Sequence, residues 1–341
     1  MNSTLPSPAR RRALAGALLA PLVGPSLARV GTIWRIGAGE AITRMADALA
    51  RAADGDTLEI LPGTYRGDVA VITQRRLSII GIGEQPVFEA DGHHAEGKAI
   101  WVVRDGDVRI ENIALRGARV PHGNGAGIRF EAGRLQLHRC DFVNNQVGLL
   151  SGNQPNSELH ISDCSFADAP PNPASLPHLL YVGAIGRFSI RASVLRQGHT
   201  GHLLKSRART STIVGNRFDD GLDGQASYEI DLPNGGVALV ESNTLVQSPR
   251  TQNPAMLSFG AEGRRWDENR LVVRDNTFVN HLATGGVFVR VWADRLPADT
   301  AVSSSDNRLL GLGTLELGPN GRSVDDQRGP VPGRPGGRSR I

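Results

Sequence analysis

The 341-residue sequence predicts an all-β chain wound into one right-handed parallel β-helix, a solenoid of about nine stacked coils with an N-terminal capping helix. Three observations predict it. A short phrase recurs every 23 to 33 residues. The runs between its copies are short, β-rich and broken by Gly and Asn, without a convincing helix. One amphipathic segment stands ahead of the first copies, where a cap belongs.

The phrase is an apolar strand residue, a polar residue, a small or amide residue, then a polar and a bulky apolar residue. Clear copies are Ile110-Glu111-Asn112-Ile113-Ala114-Leu115, Leu137-His138-Arg139-Cys140-Asp141-Phe142, Ile161-Ser162-Asp163-Cys164-Ser165-Phe166 and Ile190-Arg191-Ala192-Ser193-Val194-Leu195. The series continues at Asn216, Asn243, Asn276 and Asn307, and a looser first copy surrounds Gly81. Counted on the small or amide residue, the spacings are 31, 28, 24, 29, 23, 27, 33 and 31. A coil of this size cannot bury its own apolar face, so it must stack on neighbours at the strand spacing of about 4.8 Å. The counted residue then forms a column, with Asn112, Asn216, Asn243, Asn276 and Asn307 as an amide ladder. Cys140 and Cys164 fall in the same column. Their Cα atoms are expected about 5 Å apart, but inward side chains in one column lack the disulfide torsion, so two free buried thiols are expected.

Residues 41–53 place Ile42, Met45, Ala46 and Leu49 on one helical face, and Asp54-Gly55-Asp56 ends the segment. Such a helix shields the first coil, which otherwise leaves an apolar end open. Residues 1–28 read as an export signal: Arg10, Arg11 and Arg12 precede an apolar stretch to Leu27, with Ser26-Leu27-Ala28 at the cleavage position. Pro21 and Pro25 break that stretch, and it is too short for a membrane span. The expected location is therefore periplasmic or secreted, by the Sec or the twin-arginine route. The β-helix domain is assigned to residues 29–320 and a disordered Pro/Gly/Arg-rich tail to residues 321–341.

The sequence pI of about 9.6 comes from the two ends. With the signal and the tail set aside, acidic residues outnumber basic ones by two, so the body carries no footprint for nucleic acid. The body is read as a monomer. No Gly-x-Ser-x-Gly elbow and no Ser-His-Asp order is evident, and the Gly-x-Gly at Gly81-Ile82-Gly83 sits at a coil turn with no helix to receive phosphate.

The capping segment, the following Gly55-Asp56-Thr57-Leu58-Glu59-Ile60-Leu61-Pro62-Gly63-Thr64-Tyr65 and the Asn-marked coils together resemble the pectin-lyase-like superfamily over about residues 33 to 315. That resemblance implies polysaccharide lyases, epimerases or hydrolases and does not choose among them.

The literal repeat His178-Leu179-Leu180-Tyr181 and His202-Leu203-Leu204-Lys205 sets a register that stacks Tyr181 on Lys205. Later strands extend this to one outward column of Tyr181, Lys205, Asp231, Ser258 and Arg290, with Glu229 and Arg207 in neighbouring columns. His199 and Asn234 lie near the strand ends, and Glu262 and Arg265 lie in a long loop. His178 and His202 are read as inward histidines with satisfied hydrogen bonds. A row of this kind suits proton abstraction beside a uronate carboxylate, where a cation or a metal must neutralise the acid before charge builds up at C5. The candidate catalytic residues are Lys205, Arg207 and Tyr181. The candidate substrate contacts are His199, Asn234, Arg250, Glu262 and Arg290. Glu229 and Asp231 are candidate Ca²⁺ ligands, against the alternative of pairing with Lys205 and Arg207.

Leu204-Lys205-Ser206 followed by Asn216-Arg217-Phe218 is similar to the Lys-Ser…Asn-x-Phe stretch of the alginate lyase and chondroitinase B family, where the Lys is the base. The Leu-Arg-His-Gly expected one coil later reads Leu232-Pro233-Asn234-Gly235, so the similarity carries over to Lys205 alone, with Arg207 or Arg250 as candidate replacements for the missing Arg. Three functions follow: a lyase or C5-epimerase acting on acidic polysaccharide, a non-catalytic exopolysaccharide-binding module, or a structural β-helix.

Overall fold

The computed structural model describes Met1, residues 31–170 and residues 178–332. The expected export signal, residues 1–28, lies outside the described residues apart from Met1, as does the end of the tail. The described chain is a right-handed type parallel β-solenoid of about 10 turns rather than nine. It has three parallel sheets of 12, 11 and 10 strands. Each coil contributes in turn to the first sheet (for example Asp107–Glu111), the second (Ala114–Arg116) and the third (Ala126–Phe130). Among the described residues no helix is long and apolar enough to cross a membrane.

The corner between the first and second sheets is the invariant part of the coil. One residue there adopts a left-handed conformation in every coil from Asn112 onward: Asn112, Arg139, Asp163, Ala192, Gly215, Ser242, Asp275, Asp306 and Asp325, with φ between 48° and 67°. Asn, Asp and Gly tolerate this conformation because they carry either no Cβ or a short side chain that bonds locally. The next residue points inward and forms the ladder. The Ser193 amide donates to Asn216 Oδ1, and the Asn216 amide and Nδ2 donate to Asn243 Oδ1 at 2.8 and 3.0 Å. Asn243 repeats this on Asn276, Asn276 on Asn307, and Asn307 on Asp326. Cys140 and Cys164 are free and occupy the same column, the Cys140 amide facing Cys164 Sγ at 3.4 Å.

Asn112 does not belong to the ladder. Pairing of Glu111 with His138 places Ile113, not Asn112, beside Cys140. Asn112 occupies the left-handed position and donates instead to the Gly81 and Gly83 carbonyls. Both positions of the corner accept Asn, one for its backbone conformation and the other for its amide, and only register separates them.

The core is continuous. In the second sheet Phe88, Leu115, Phe142, Phe166, Leu195, Phe218, Leu245, Phe278 and Leu309 fall in one fully or nearly fully buried inward column. Phe142 and Phe166 stack with centroids 4.6 Å apart. Burying a side chain of this size stabilises by about 1.5–3 kcal/mol relative to leaving it exposed, so the column is a principal source of stability.

The ends differ from expectation. The long capping helix expected over residues 41–53 is a five-residue helix, Met45–Leu49. Ile42 is buried but extended, bridged to Ile36, and Asp68 Oδ2 accepts from the Met45 amide, so the segment joins the first coil as strand before it turns helical. At the other end the solenoid continues past residue 320. Gly321–Val324 and Gln327–Gly329 form a last coil because Asp326 takes the ladder position below Asn307. Most of this coil is exposed and polar, which closes the stack without an apolar face.

Two substitutions test the corner. Asn243→Ala leaves the buried Asn216 amide and Ile213 carbonyl without partners and is expected to lower stability in urea by about 3 kcal/mol, at about 1–3 kcal/mol per orphaned group. Ala192→Gly relieves an L-residue held at φ 48° on the surface and is expected to raise stability by about 0.5–1 kcal/mol.

Candidate functional site

The third sheet brings the predicted column together. Tyr181 pairs with Lys205, Lys205 with Asp231, Asp231 with Ser258, and Ser258 with Arg290. Lys205 and Arg207 leave the same strand end, and the loop between Phe259 and Arg270 folds back to deliver Glu262 onto both. Glu262 Oε1 accepts from Lys205 Nζ at 2.9 Å and from Arg207 Nη2 at 3.0 Å, and Oε2 accepts from Arg207 Nη1 at 2.6 Å. Arg207 Nε donates to the Tyr181 hydroxyl at 2.9 Å, and Arg207 also donates to Asn234 Oδ1. Lys205 Nζ lies 3.3 Å from Asp231 Oδ2. The Lys205 side chain is only 10% exposed and that of Asp231 3%, so this is a largely desolvated charge cluster with one open member, Glu262, at 45%.

Burial raises the Asp231 carboxyl to about 6, and the Lys205 charge and hydrogen bonds partly offset that rise. The Arg207 and Lys205 bonds draw Glu262 down to about 2 against its own partial burial. Both histidines ahead of this column are neutral. Burial, reinforced by Lys205 and Arg207, lowers His178 to about 3, and burial with the neighbouring His178 lowers His202 far below the usual imidazole range.

His178 and His202 were expected inward with their bonds satisfied. They lie on the outer side, with His178 5.6 Å from the Tyr181 ring and His202 Nε2 3.5 Å from Asp231 Oδ2. Their rings stack at 4.6 Å, the His202 amide donates to His178 Nδ1, and His202 Nδ1 has no partner among the described residues. The cause is a break in alternation. Leu179 and Leu180 both enter the core, as do Leu203 and Leu204, so the residue before each pair faces the same way as the residue after it. The doubled Leu in each copy was the available signal. The sequence also gave no warning of Trp266, whose Nε1 donates to the Arg207 carbonyl and whose ring lies 5.0 Å under the Arg209 guanidinium.

Other candidates lie elsewhere. Arg290 is in the column but pairs with Glu316 at 2.7 Å. Arg250 pairs with Asp223 in a surface loop at 3.3 Å, and His199 sits in a left-handed turn beside Asp220. Glu229 is fully buried, both its oxygens lack partners among the described residues, and burial raises its carboxyl far above the usual range. The charges that act on it belong to Asp220 and Asp219, not to Lys205 or Arg207. It therefore pairs with neither cation. It does not fit Ca²⁺ with Asp231 either: buried Ile230 separates the two, Asp231 faces Lys205, and among the described residues no three acidic, His or Cys side chains gather as a metal site requires.

The three-sheet coil, with its recurrent left-handed residue at the corner between the first and second sheets, decides the fold class. The chain is a right-handed-type parallel β-solenoid. No family of known sequences and no curated protein matches it. Solved structures similar to it include the ORF18 protein of Geobacillus virus E2, at 13% identity and a TM-score of 0.45, covering 82% of this chain and 53% of that one. This chain thus spans about half the length of that protein. The tailspike protein gp49 of Acinetobacter baumannii bacteriophage Fri1, a capsular polysaccharide depolymerase, is similar at 11% identity and a TM-score of 0.44, covering 86% of this chain and 62% of that one. An alginate lyase from Paenibacillus sp. str. FPU-7 is similar at 14% identity and a TM-score of 0.41, covering 83% and 95%.

The two shifted carboxyls predict opposite pH responses. Asp231 binds its proton more tightly folded than unfolded, so between about 4 and 6 the folded state carries more protons and stability falls as pH rises. Above about 6 this contribution is flat. Asp231→Asn is expected to remove that slope in denaturant titrations across the window. Glu262 acts in reverse: its contribution is present above about 4.5 and fades as pH falls toward about 2, and its exposure keeps that contribution small.

Proposed function

We propose that this is an exported carbohydrate-active β-helix protein whose third-sheet face takes an acidic polysaccharide and acts on it as a lyase or C5-epimerase. One observation carries the reading: Lys205 and Arg207 already hold a carboxylate, supplied from a long loop by Glu262, the exposed member of the cluster. A uronate carboxylate presents the same two oxygens to the same two cations. Arg10–Arg12 and the apolar stretch after them support export.

On this reading the uronate displaces Glu262. Its charge is then neutralised by Arg207 and Lys205, which stabilises the carbanion-like charge that develops when the C5 proton leaves. Tyr181, whose oxygen accepts from Arg207 Nε, is the group placed to take that proton, acting as the phenolate after its own O–H proton has left. Lys205, held between two carboxylates, serves as a cation here rather than as the base that the family similarity implies. The neutral His178–His202 pair adds no competing charge beside the clamp. A non-catalytic binding module is the second reading, favoured by the shallow exposure of Lys205 and by the mutual pairing of the charges.

Alginate, pectate and glycosaminoglycans are to be screened by ultraviolet absorbance for unsaturated ends and by NMR for epimerised residues. Arg207→Ala is expected to lower kcat/KM by at least about 100-fold, as for loss of a charge-stabilising donor. Glu262→Gln is expected to tighten substrate binding by weakening the internal competitor. Lys205→Ala is expected to lower both turnover and melting temperature, because Asp231 loses its buried partner. Full activity in Arg207→Ala removes the clamp from the mechanism. Binding of one polymer without turnover of any selects the second reading.

A further inference from the structure

The outer face of the first sheet holds a second constellation, on a different sheet from the Lys205 cluster and independent of the reading given to it. Strands Glu158–Ser162 and Arg187–Arg191 stack in parallel, with His160 paired to Ser189. His160 Nδ1 lies 2.8 Å from Ser189 Oγ, and its Nε2 lies 3.1 Å from Glu158 Oε2. The side chains of His160 and Glu158 are 26% and 35% exposed, and Ser189 is half-buried. The His160 bond and the neighbouring Arg187 and Arg134 charges hold the Glu158 carboxyl below its usual range. His160 and Ser189 border an open depression of about 440 Å³, with Gln136, His138, Ser162 and Arg191 also in its wall.

We propose that Glu158, His160 and Ser189 form a serine-hydrolase site that cleaves a small O-acyl ester. The arrangement meets the requirement for an activated hydroxyl: nucleophile and base within hydrogen-bond reach, and the base oriented by a third group on its other nitrogen. With Nε2–H donated to Glu158, Nδ1 is free to accept from Ser189 Oγ. Ser189 Oγ attacks the acyl carbon while its proton passes to His160 Nδ1. The tetrahedral oxyanion collapses, the C–O bond to the alcohol breaks, and the departing alkoxide takes the proton from Nδ1, leaving acyl-Ser189. Water then attacks the acyl carbon and gives one proton to Nδ1; the acyl–Oγ bond breaks as that proton passes to Ser189 Oγ, and the product leaves as the carboxylic acid, which ionises in solvent. Backbone amides in the sheet interior are committed to the ladder, so the oxyanion needs a side-chain donor. Arg191 lies two residues from Ser189 on the same face, is exposed, and its guanidinium makes no ion pair among the described residues. Its charge also favours an ester whose alcohol portion is anionic.

The neighbouring column shows what an inert version looks like. His138 Nδ1 meets both Ser162 Oγ at 3.0 Å and Asp163 Oδ2 at 3.3 Å, so acid and serine share one nitrogen and no proton path runs through the ring.

The test treats the whole chain with a fluorophosphonate probe, maps the modified peptide, and follows hydrolysis of p-nitrophenyl acetate. Modification is expected at Ser189, absent in Ser189→Ala and at least about 100-fold slower in His160→Ala, with ester hydrolysis falling in parallel. Ser189→Cys, which keeps the packing, is expected to exchange fluorophosphonate reactivity for alkylation by iodoacetamide. Glu158 is a positioning residue, so Glu158→Gln is expected to lower kcat with KM unchanged and Glu158→Asp to restore part of it. The proposal is overturned if the folded protein takes no probe, if the probe maps to another residue, or if Ser189→Ala hydrolyses the ester at the original rate.

Discussion

Everything in this molecule depends on the register between coils, and the register is held at one corner. A left-handed residue turns the chain from the first sheet to the second, and the next side chain bonds to its counterpart one coil on, from Ser193 through four asparagines to Asp326. A slip of one residue would put each apolar side chain on the outer face, so the core and the ladder enforce the same alignment. With this corner fixed in length, differences between repeats must be absorbed at the other two corners. That is where the chain gained the freedom to place chemistry. The loop carrying Glu262 and Trp266 and the loop carrying Arg250 both lie there.

Stacking also creates electrostatic difficulty, because parallel in-register strands place like positions directly beside one another. The third sheet handles this by alternating sign along its column. Lys205 is followed by Asp231, and Arg290 by Glu316. Around Lys205 the compensation goes further, because the cluster is out of water. Asp231 alone balances Lys205 poorly, as its elevated carboxyl shows, and Glu262 supplies the remaining charge for Lys205 and Arg207 together. The neutrality of His178 and His202 follows from the same crowding, since a third and fourth cation in that space would have no counter-charge. Glu229 stands apart. It is fully buried, with only the like charges of Asp220 and Asp219 acting on it, so the neutral acid is the favoured form.

Much of this was legible in the sequence because the fold is nearly one-dimensional. Once His178-Leu179-Leu180-Tyr181 is laid on His202-Leu203-Leu204-Lys205, the column Tyr181, Lys205, Asp231, Ser258, Arg290 follows by counting. Counting fails where local geometry departs from strict alternation. The paired leucines turned two histidines from core residues into neighbours of Lys205, and they sent Glu229 into the interior. Asn112 was misplaced by one position because the corner accepts Asn at two adjacent sites for different reasons. Ile42 fits the helical spacing but is held extended by a single bridge to Ile36, so the helix begins only at Met45. The arrival of Glu262 was out of reach, because a ten-residue loop has no periodicity from which its path can be read.

A parallel solenoid therefore weakens the usual link between local motif and catalytic constellation. In a strand–turn–helix site, nucleophile and neighbours are recognisable because a sharp turn brings them together along the chain. Here Glu158 and His160 lie two residues apart on one strand, while Ser189 comes from the coil beyond, and no short pattern joins them. The same holds for Lys205, Asp231 and Glu262. What brings each set together is the column position, which is a property of the stack and not of any segment. Neighbouring columns show how finely that position decides chemistry. His160 reaches its acid and its serine through different ring nitrogens, whereas His138, one column over with the same residue types, presents a single nitrogen to both. Composition is shared between the two columns, so the difference lies in where the acid enters. Glu158 approaches from two residues earlier on the same face, and Asp163 approaches from the left-handed corner.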